Sequence, residues 1–534
     1  MRRLAPDRAR TLLLLVLLAV FAALKAQHDV HWTQGRDGRY YSDVARQVMN
    51  GEGLTTRVSN YNQGYREWPA RTNQAPLWLL TYGLSARQVG LETAARRLPQ
   101  LLYLLDLLLL YFLANRIWLR LAGRKASGLA GSGVPDLGHV AVALFGANAV
   151  FFHFTSLPFT EGLAFGLTFG ALLALDRAAE RSQPAWGGLA GALAALALLT
   201  RGQLLAVPIA VLGGLVIAGF RPRGWRIPVA GAAAGALVFA PWIAWLASWV
   251  PALSLPLVLG FGQLQEAIGL PPFSFFVESE SLGAYLADRW GGLVTAFDPG
   301  SELSYFSSFG WPVALAPLAG VAALVLLARR PSRLRGWLAP EKALLWTAVA
   351  LGAGSLLPVH HAHSVIFEPW LFGYRHGLPF LYLLLPALAF WLAHDRQALR
   401  IGAAAIVAVG VVQAGAAVLQ QVPGDSEPIV NEAEIRLGRW LDRQEGHPVV
   451  VYWDPTRIPL VSEKAFAHWT DCDQPAEATE RLIEDAGLEY VLRRRSEQDC
   501  SFAQVKPLRN VKTIRAKWII SILATENVDR RAHP

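Results

Sequence analysis

Apolar residues run in long, nearly unbroken stretches along most of this chain, and polar residues gather in the segments between them. The runs fall at about 11–27, 98–115, 137–153, 161–175, 186–200, 203–219, 227–247, 311–328, 342–358, 376–393 and 399–420. A helix that crosses the hydrocarbon layer takes roughly 20 residues, within a range of roughly 17–25, so the pattern predicts about eleven spanning helices. The two runs flanking Thr200–Gln203 are short for a full crossing and are expected to tilt or to stop part-way.

Past about Glu427 the period changes. Asn431–Glu445 and Ala476–Ala486 carry helical spacing, whereas Val449–Trp453, Tyr490–Arg494 and Trp518–Ala524 read as strands. The expected architecture is an all-α polytopic membrane bundle over residues 1–425, followed by a small α/β domain over 426–534. The first apolar run follows Arg2 and Arg3 and resembles a signal peptide, with Ala22–Ala26 as a cleavage site, but the many spans behind it favour a retained helix.

Composition sharpens this picture. Hydrophobic residues make up 53% of the 534 positions and charged residues 17%. A water-soluble chain carries about 25% charge, so a purely soluble protein is excluded. The net charge of +9 does not point to nucleic acid, because its source is clustered between apolar runs. The clusters are Arg2, Arg3, Arg8 and Arg10; Arg116, Arg120, Arg124 and Lys125; Arg221, Arg223 and Arg226; and Arg329, Arg330, Arg333 and Arg335. Basic residues in short loops mark the cytoplasmic face.

With the N-terminus inside, all four clusters fall on that face. The same parity exports the loop 28–97, Leu157–Glu161, Ser248–Gly310, Val359–His376 and the tail. The expected location is the inner (plasma) membrane, with the C-terminal domain on the periplasmic or extracellular side. The two cysteines, Cys472 and Cys500, both lie in that tail and can form one bridge there or remain two thiols.

Candidate chemistry collects in the exported segments. Asp37 opens a helix-like stretch that continues through Tyr41 and Asp43. A partly desolvated carboxylate there suits a general base, and an Asp at a helix start equally suits a cap, which spacing alone favours. Glu161 interrupts apolar sequence on both sides, and an ionisable group retained at that cost is a functional candidate. Its alternative use is compensation of the helix dipole.

Later, His360, His361, His363 and Glu368 precede Arg375 and His376. The histidine spacing matches no zinc signature, and an Arg at a helix rim is suited to gripping phosphate. Arg96 and Arg97 are best read as side chains reaching the interface. Asp106 and Arg201, inside or between apolar runs, call for partners within the bundle.

The order of these segments resembles the GT-C superfamily of glycosyltransferases that use polyprenyl-phosphate sugars, especially its protein O-mannosyltransferase and lipid A aminoarabinose transferase branch. Asp37, Tyr41, Asp43, Ala45 and Arg46 look like the family's first exported segment. Ala75-Pro76-Leu77-Trp78 resembles its Pro-Pro-Leu turn, and Arg97-Leu98-Pro99 its second-span start. Pro158-Phe159-Thr160-Glu161 stands at its second acidic loop, Leu199-Thr200-Arg201-Gly202 at its Leu-Thr-Lys/Arg-Gly junction, and Arg375-His376-Gly377-Leu378-Pro379 at a late Arg-Tyr/His segment. Two positions depart from the pattern: Asp37-Gly38 replaces an Asp-Glu pair, and Gln74-Ala75 stands where a Lys often precedes the turn. Arg66 and Arg71 are the nearby residues placed to supply that lost phosphate contact.

The resemblance implies an inverting single displacement from a polyprenyl-phosphate sugar to a lipid, glycan or protein acceptor. In it Asp37 acts as base. Glu161 orients the acceptor or helps to hold a divalent cation, magnesium or manganese, where one is used. Arg375 and His376 neutralise the departing phosphate. From another class, a polytopic transporter or lipid flippase fits the hydropathy, but it would carry ionisable groups nearer the midplane and internal repeats. A non-catalytic assembly factor with the same fold is a third reading.

Overall fold

The computed structural model describes residues 6–28, 35–59, 70–72, 74–122, 136–201, 204, 206–222, 224–248, 339–359, parts of 408–419, 430–452, 454–469, 488–494, 508–515, 519–525 and 527–528. Among these residues the membrane portion is helical. The helices are α1 (Pro6–Gln27), α2 (Arg36–Asn50), α3 (Pro76–Val89), α4 (Leu91–Ala122), α5 (Leu137–Gly146), α6 (Ala149–Phe154), α7 (Glu161–Arg181), α8 (Pro184–Thr200), α9 (Ala206–Ala218), α10 (Arg226–Ala247) and α11 (Ala343–Val359). Two more follow in the C-terminal segment, α12 (Glu432–Leu441) and α13 (Ile458–Val461).

Four helices are long and apolar enough to cross a membrane: Arg8–Gln27, Leu91–Leu121, Glu161–Arg181 and Arg226–Ala247. The chain is a membrane protein. Their outward faces are apolar, with Leu15 and Val16 on α1, Leu101 and Phe112 on α4, and Leu237 on α10 all well exposed. Such a surface suits hydrocarbon rather than water. The two short runs around Thr200–Gln203 form helices of 17 and 13 residues, the first at the lower limit for an upright crossing and the second below it. The expected spans at 311–328 and 376–393, nearly all of 399–420, and the stretch Glu278–Asp298, where Leu282, Tyr285, Leu286, Trp290 and Leu293 fall near helical spacing, lie outside the described residues.

One apolar run divides. The stretch 137–153 breaks at Ala147–Asn148, where Asn148 caps the second piece by accepting from the Phe151 N–H at 2.9 Å. The side-chain amide offers the backbone an alternative to continuing the helix, so the turn that follows can reach Glu161.

The two ends of α7 fix the arrangement of the bundle. At its start Glu161 pairs with Arg201, which follows α8. In its later turns Asp176, 1% exposed at its side chain, accepts from Arg116 and Arg120 of α4. Arg120 in turn accepts Lys342 on its backbone carbonyl, and Arg221 bonds Ser182. Residues from three of the basic or loop segments assigned to one membrane face therefore meet at one end. Glu161 and Arg201 meet at the other, about 22 Å from Asp176 along the axis of α7.

Helices α8 and α10 cross backbone to backbone. A Cβ on Gly191 would stand 2.0 Å from the Gly231 carbonyl oxygen, and one on Gly187 would stand 2.6 Å from that of Ile227. Small residues permit this approach, and in lipid such packing substitutes for the hydrophobic effect.

The C-terminal segment builds a six-stranded sheet, but not alone. Its strands are β2 (Val58–Ser59), β4 (Val449–Tyr452), β5 (Phe466–Trp469), β6 (Tyr490–Arg494), β7 (Arg509–Arg515) and β8 (Ile519–Ala524), in the order β2-β5-β4-β6-β8-β7. The first four are joined in parallel, and β8 and β7 are antiparallel additions. Edge strand β2 comes from the loop after α2, pairing Val58 with Ala467 and Ser59 with His468. Two residues, β1 (Thr55–Thr56), pair separately with β3 (Ala70–Arg71). Helix α12 starts with a capping box between Asn431 and Glu434 and packs Ala433, Leu437 and Leu441 on the sheet.

Gly191→Leu is expected to lower the thermal midpoint of the detergent-solubilised protein, at a cost of about 1–3 kcal/mol or more for overpacking. Gly213→Ala is the control, because nothing lies within 4 Å of a Cβ there. Equal midpoints for the two variants would contradict the close α8–α10 crossing.

Candidate active site

The site assembles on the turn Leu157–Thr160 at the start of α7. Helix α2 reaches it first. The N-cap of α2 is Gly35, with no side-chain cap bond, and Asp37 sits in the first turn, where the helix dipole favours a carboxylate. Asp37 is half-buried and Tyr41 lies four residues on, so the two share one face of the helix. Tyr41 meets Phe159 edge-on, with centroids 6.4 Å apart, and Phe159 stacks on Phe154. The face bearing Asp37 is thereby turned toward the residues that lead into Glu161.

Helix α3 completes the support. Pro76 starts it, and Trp78 donates from Nε1 to the Pro158 carbonyl at 3.0 Å. Tyr40, Val44 and Val48 of α2 pack with Trp78, Leu79 and Tyr82 of α3. Gly83 is required at this crossing, since a Cβ there would lie 2.5 Å from that of Val48. The α2 helix ends at Gly51, whose φ of 88° is the left-handed conformation that glycine adopts without strain.

Glu161 is 3% exposed. It pairs with Arg201 and receives the Thr160 hydroxyl at 3.4 Å. Arg201 owes its position to the break between α8 and α9: its backbone is extended, at φ −155° and ψ 116°. Leu199, Trp242 and Leu246 form an apolar wall with Leu54 and Leu77 beside this junction. Arg201 carries a planar guanidinium fork, the geometry that matches carboxylate and phosphate oxygens. Sequence reasoning noted Arg201 without giving it a role. The signal was the ionisable residue at a break between two short apolar helices.

The remaining expected site residues fall into three places. Asp43 is enclosed: its carboxylate receives Thr56 Oγ1 at 3.0 Å, the Arg57 N–H at 2.7 Å and Arg57 Nε at 3.1 Å. Arg71 is exposed in β3, opposite Thr55. Arg66, Arg375 and His376, the histidines near 360, Cys472 and Cys500 lie outside the described residues. Among the described residues, no three His, Cys, Asp or Glu side chains stand close enough to hold a metal ion.

Three arginines that the sequence did not single out for this task dock α2 on the C-terminal segment. Arg39 donates to Asp454 at 2.7 Å and to Thr456 at 2.9 Å. Arg46 reaches the Pro459 carbonyl at 3.0 Å. Arg57, held by Asp43, donates to the carbonyls of Ser462 and Pro459. Behind Asp454, Arg457 bridges to Glu434 of α12, which also accepts the Tyr452 hydroxyl. Burial pushes the Asp454 carboxyl up, but Arg39, the Thr456 hydroxyl and Arg457 outweigh it and hold the group below the usual carboxylate range. His468, beside β2, is held down at about 4 by burial.

No family model matches the chain, and no curated protein matches it by sequence. Among solved structures it is similar to the crystal structure of ArnT from Cupriavidus metallidurans bound to undecaprenyl phosphate. Identity is 15%, the TM-score is 0.45, and the alignment covers 98% of this chain and 99% of that one. The apo-state structure of the same protein matches at 15% identity and a TM-score of 0.46, over 97% and 98%. A likeness at that level assigns no residue a role.

The docking network predicts a pH response with a definite sign. Between about 6.5 and about 4 the unfolded chain protonates His468 while the folded chain does not, so stability of the sheet falls as pH falls through that window. Asp454, depressed in the folded state, adds a loss at still lower pH by the same logic. Proteolysis of the C-terminal segment across pH 7 to 4 is expected to accelerate in wild type, with a flatter onset in His468→Gln. Asp454→Asn leaves Arg39 buried without its charge partner and is expected to cost about 3–5 kcal/mol. Unchanged protease resistance of Asp454→Asn would contradict the dock.

Proposed function

We propose that this protein is a membrane glycosyltransferase that moves a sugar from a polyprenyl-phosphate donor to an acceptor hydroxyl on the exported side of the plasma membrane. The observation that carries the reading is the convergence of the Asp37–Tyr41 face with the buried Glu161–Arg201 pair on one turn at the end of a lipid-facing bundle. A donor on a long lipid phosphate keeps its reactive bond at headgroup depth, and this is where the ends of α7 and α8 lie in the reading. The acceptor is a lipid, glycan or protein. The undecaprenyl phosphate held by the ArnT crystal structure is the type of lipid phosphate meant.

In the proposed step, Asp37 accepts the proton of the acceptor hydroxyl as its oxygen attacks the anomeric carbon. The carbon–phosphate oxygen bond breaks on the opposite face, with inversion. Arg201 receives part of the charge that develops on the leaving phosphate, with Arg375 and His376 of the late segment as further cations. Preorganised positive groups aimed at developing charge are commonly the largest contribution in such chemistry. Glu161 fixes Arg201 and orients the acceptor, while Tyr41 seats the turn through Phe159. Asp43 contributes by holding Arg57, and hence the dock behind α2, rather than by touching substrate.

The two carboxylates assigned to the reaction, Asp37 and Glu161, stand in the first turns of α2 and α7, which suits chemistry at the membrane surface more than passage through the midplane. A deletion strain is expected to accumulate a lipid-linked sugar visible by mass spectrometry. Wild-type protein should clear it with release of polyprenyl phosphate. Asp37→Asn, at equal abundance in the membrane, should slow clearance by about 10²–10⁴-fold, the usual worth of a general base. Clearance by Asp37→Asn at the wild-type rate would remove the base assignment, and movement of the intact lipid-linked sugar without phosphate release would favour the transporter.

A further inference from the structure

Lys25 stands in the last turn of α1, where a lysine ordinarily extends its ammonium to the membrane surface. Here it turns inward and is 2% exposed. The ammonium donates to the Phe152 carbonyl, to Thr155 Oγ1 at 3.0 Å and to Ser156 Oγ at 2.5 Å. It also lies 4.3 Å from the ring centroids of Tyr103 and Phe152. The proposed reaction gives this group no part, and an ionisable side chain kept inside a membrane bundle is a functional candidate.

The hydrogen bonds around Lys25 fix the direction of donation. Thr155 Oγ1 commits its own proton to the Phe151 carbonyl, and Ser156 Oγ commits its own to that of Phe152 at 2.7 Å. Both hydroxyls therefore accept from Lys25, and a carbonyl can only accept. Three acceptors around one nitrogen match the three donors of an ammonium. The stem of the side chain starts from a fixed place as well. Phe21, one turn earlier in α1, meets Tyr103 edge-on at 6.3 Å and lies so close to Gly146 that a Cβ there would stand 2.5 Å from its ring. Tyr103 in turn donates to the Gly146 carbonyl at 2.8 Å.

The ammonium holds the approach to Glu161. Ser156 is followed by Leu157, Pro158, Phe159 and Thr160, the turn on which the candidate site assembles. Trp78 of α3 holds that turn at the Pro158 carbonyl, and Tyr41 of α2 meets it at Phe159. Lys25 of α1 adds a third hold, at Thr155 and Ser156, where the chain leaves α6. We propose that Lys25 is a positioning residue for the transfer reaction: it fixes the end of α6, and so sets where the turn presents Phe159 to Tyr41 and Glu161 to Arg201. In this role Lys25 acts through the turn and touches neither sugar nor phosphate. The inference deepens the glycosyltransferase reading and rests on it for the activity arm of its test.

Lys25→Met replaces the ammonium with an apolar group of similar length and leaves both hydroxyl protons on their carbonyl partners. No buried donor is then unmatched, so the full chain in nanodiscs should keep its thermal midpoint. Membranes of the deletion strain carrying each protein at equal abundance supply the acceptor, and lipid-linked sugar extracted from that strain is the added donor. Release of polyprenyl phosphate is followed against donor, and hydrogen exchange is followed over residues 151–161. Lys25→Met should lose about 10²-fold in rate at saturating donor, the scale of a catalytic group displaced by about an ångström. The half-saturating donor should stay at the wild-type value, and exchange at 155–161 should rise about ten-fold or more. Ser156→Ala removes one acceptor and leaves the cation two, and it should move rate and exchange in the same directions by less.

Unchanged exchange at 155–161 in Lys25→Met, or raised exchange with an undiminished rate, would overturn the proposal. So would a fall of rate and midpoint together in Lys25→Met with wild-type rate and exchange in Ser156→Ala, since the lysine would then serve stability alone. Were the wild type to release no polyprenyl phosphate while exchange changed as described, the reaction assignment would fail and the hold on the turn would stand.

Discussion

A carboxylate at the mouth of an apolar bundle persists only if something nearby answers its charge. Glu161 is answered by Arg201, and Arg201 is available because two short helices break where it stands. The pairing links the start of α7 to the end of α8 and sets which end of the bundle is polar. The other end of α7 obeys the same rule, with Asp176 answered by Arg116 and Arg120. In a medium that offers no hydrogen bonds, these charges become the coordinates of the structure, and the helices are arranged to satisfy them.

The end of the bundle that bears Glu161 is then organised by a second set of charges. Helix α2 is amphipathic, and the arginines on it and in the loop after it, Arg39, Arg46 and Arg57, reach into the stretch 454–462. The loop lends β2 to the C-terminal sheet. The segment holding Asp37 is thus clamped between the bundle, through Tyr41 and Trp78, and the sheet, through buried ion pairs. A group that must meet a transient charge gains from such rigidity, since preorganisation removes the cost of rearrangement at the moment of reaction.

Much of this was legible in the residues. Hydropathy located the long helices because a lipid-facing helix has nowhere to hide polar side chains. The strands Val449–Tyr452, Tyr490–Arg494 and Ile519–Ala524 fall where β-branched runs placed them. Asp37 and Glu161 stood out as carboxylates beside apolar runs. Less legible were features that depend on contacts remote in sequence. The Arg39–Asp454 pair spans 415 positions, and no local period announces it. Strand β2 is two residues long and is a strand only because β5 lies beside it. The surroundings of Asp43, Arg57 and Thr56, lie around a turn that spacing does not foresee. The break at Asn148 was hidden by apolar residues on both sides, although Asn is a residue that caps.

The central claim is that Asp37, the Glu161–Arg201 pair and the C-terminal sheet share one exported rim, opposite the rim of Asp176. In a chain with Cys472 and Cys500 replaced by Ser, single cysteines at the exposed positions Asn50, Arg439 and Gln183 report this directly. A membrane-impermeant maleimide added to intact cells should label the first two, and Gln183→Cys only after permeabilisation. Labelling of Gln183→Cys from outside, or of Asn50→Cys only from within, would contradict the account.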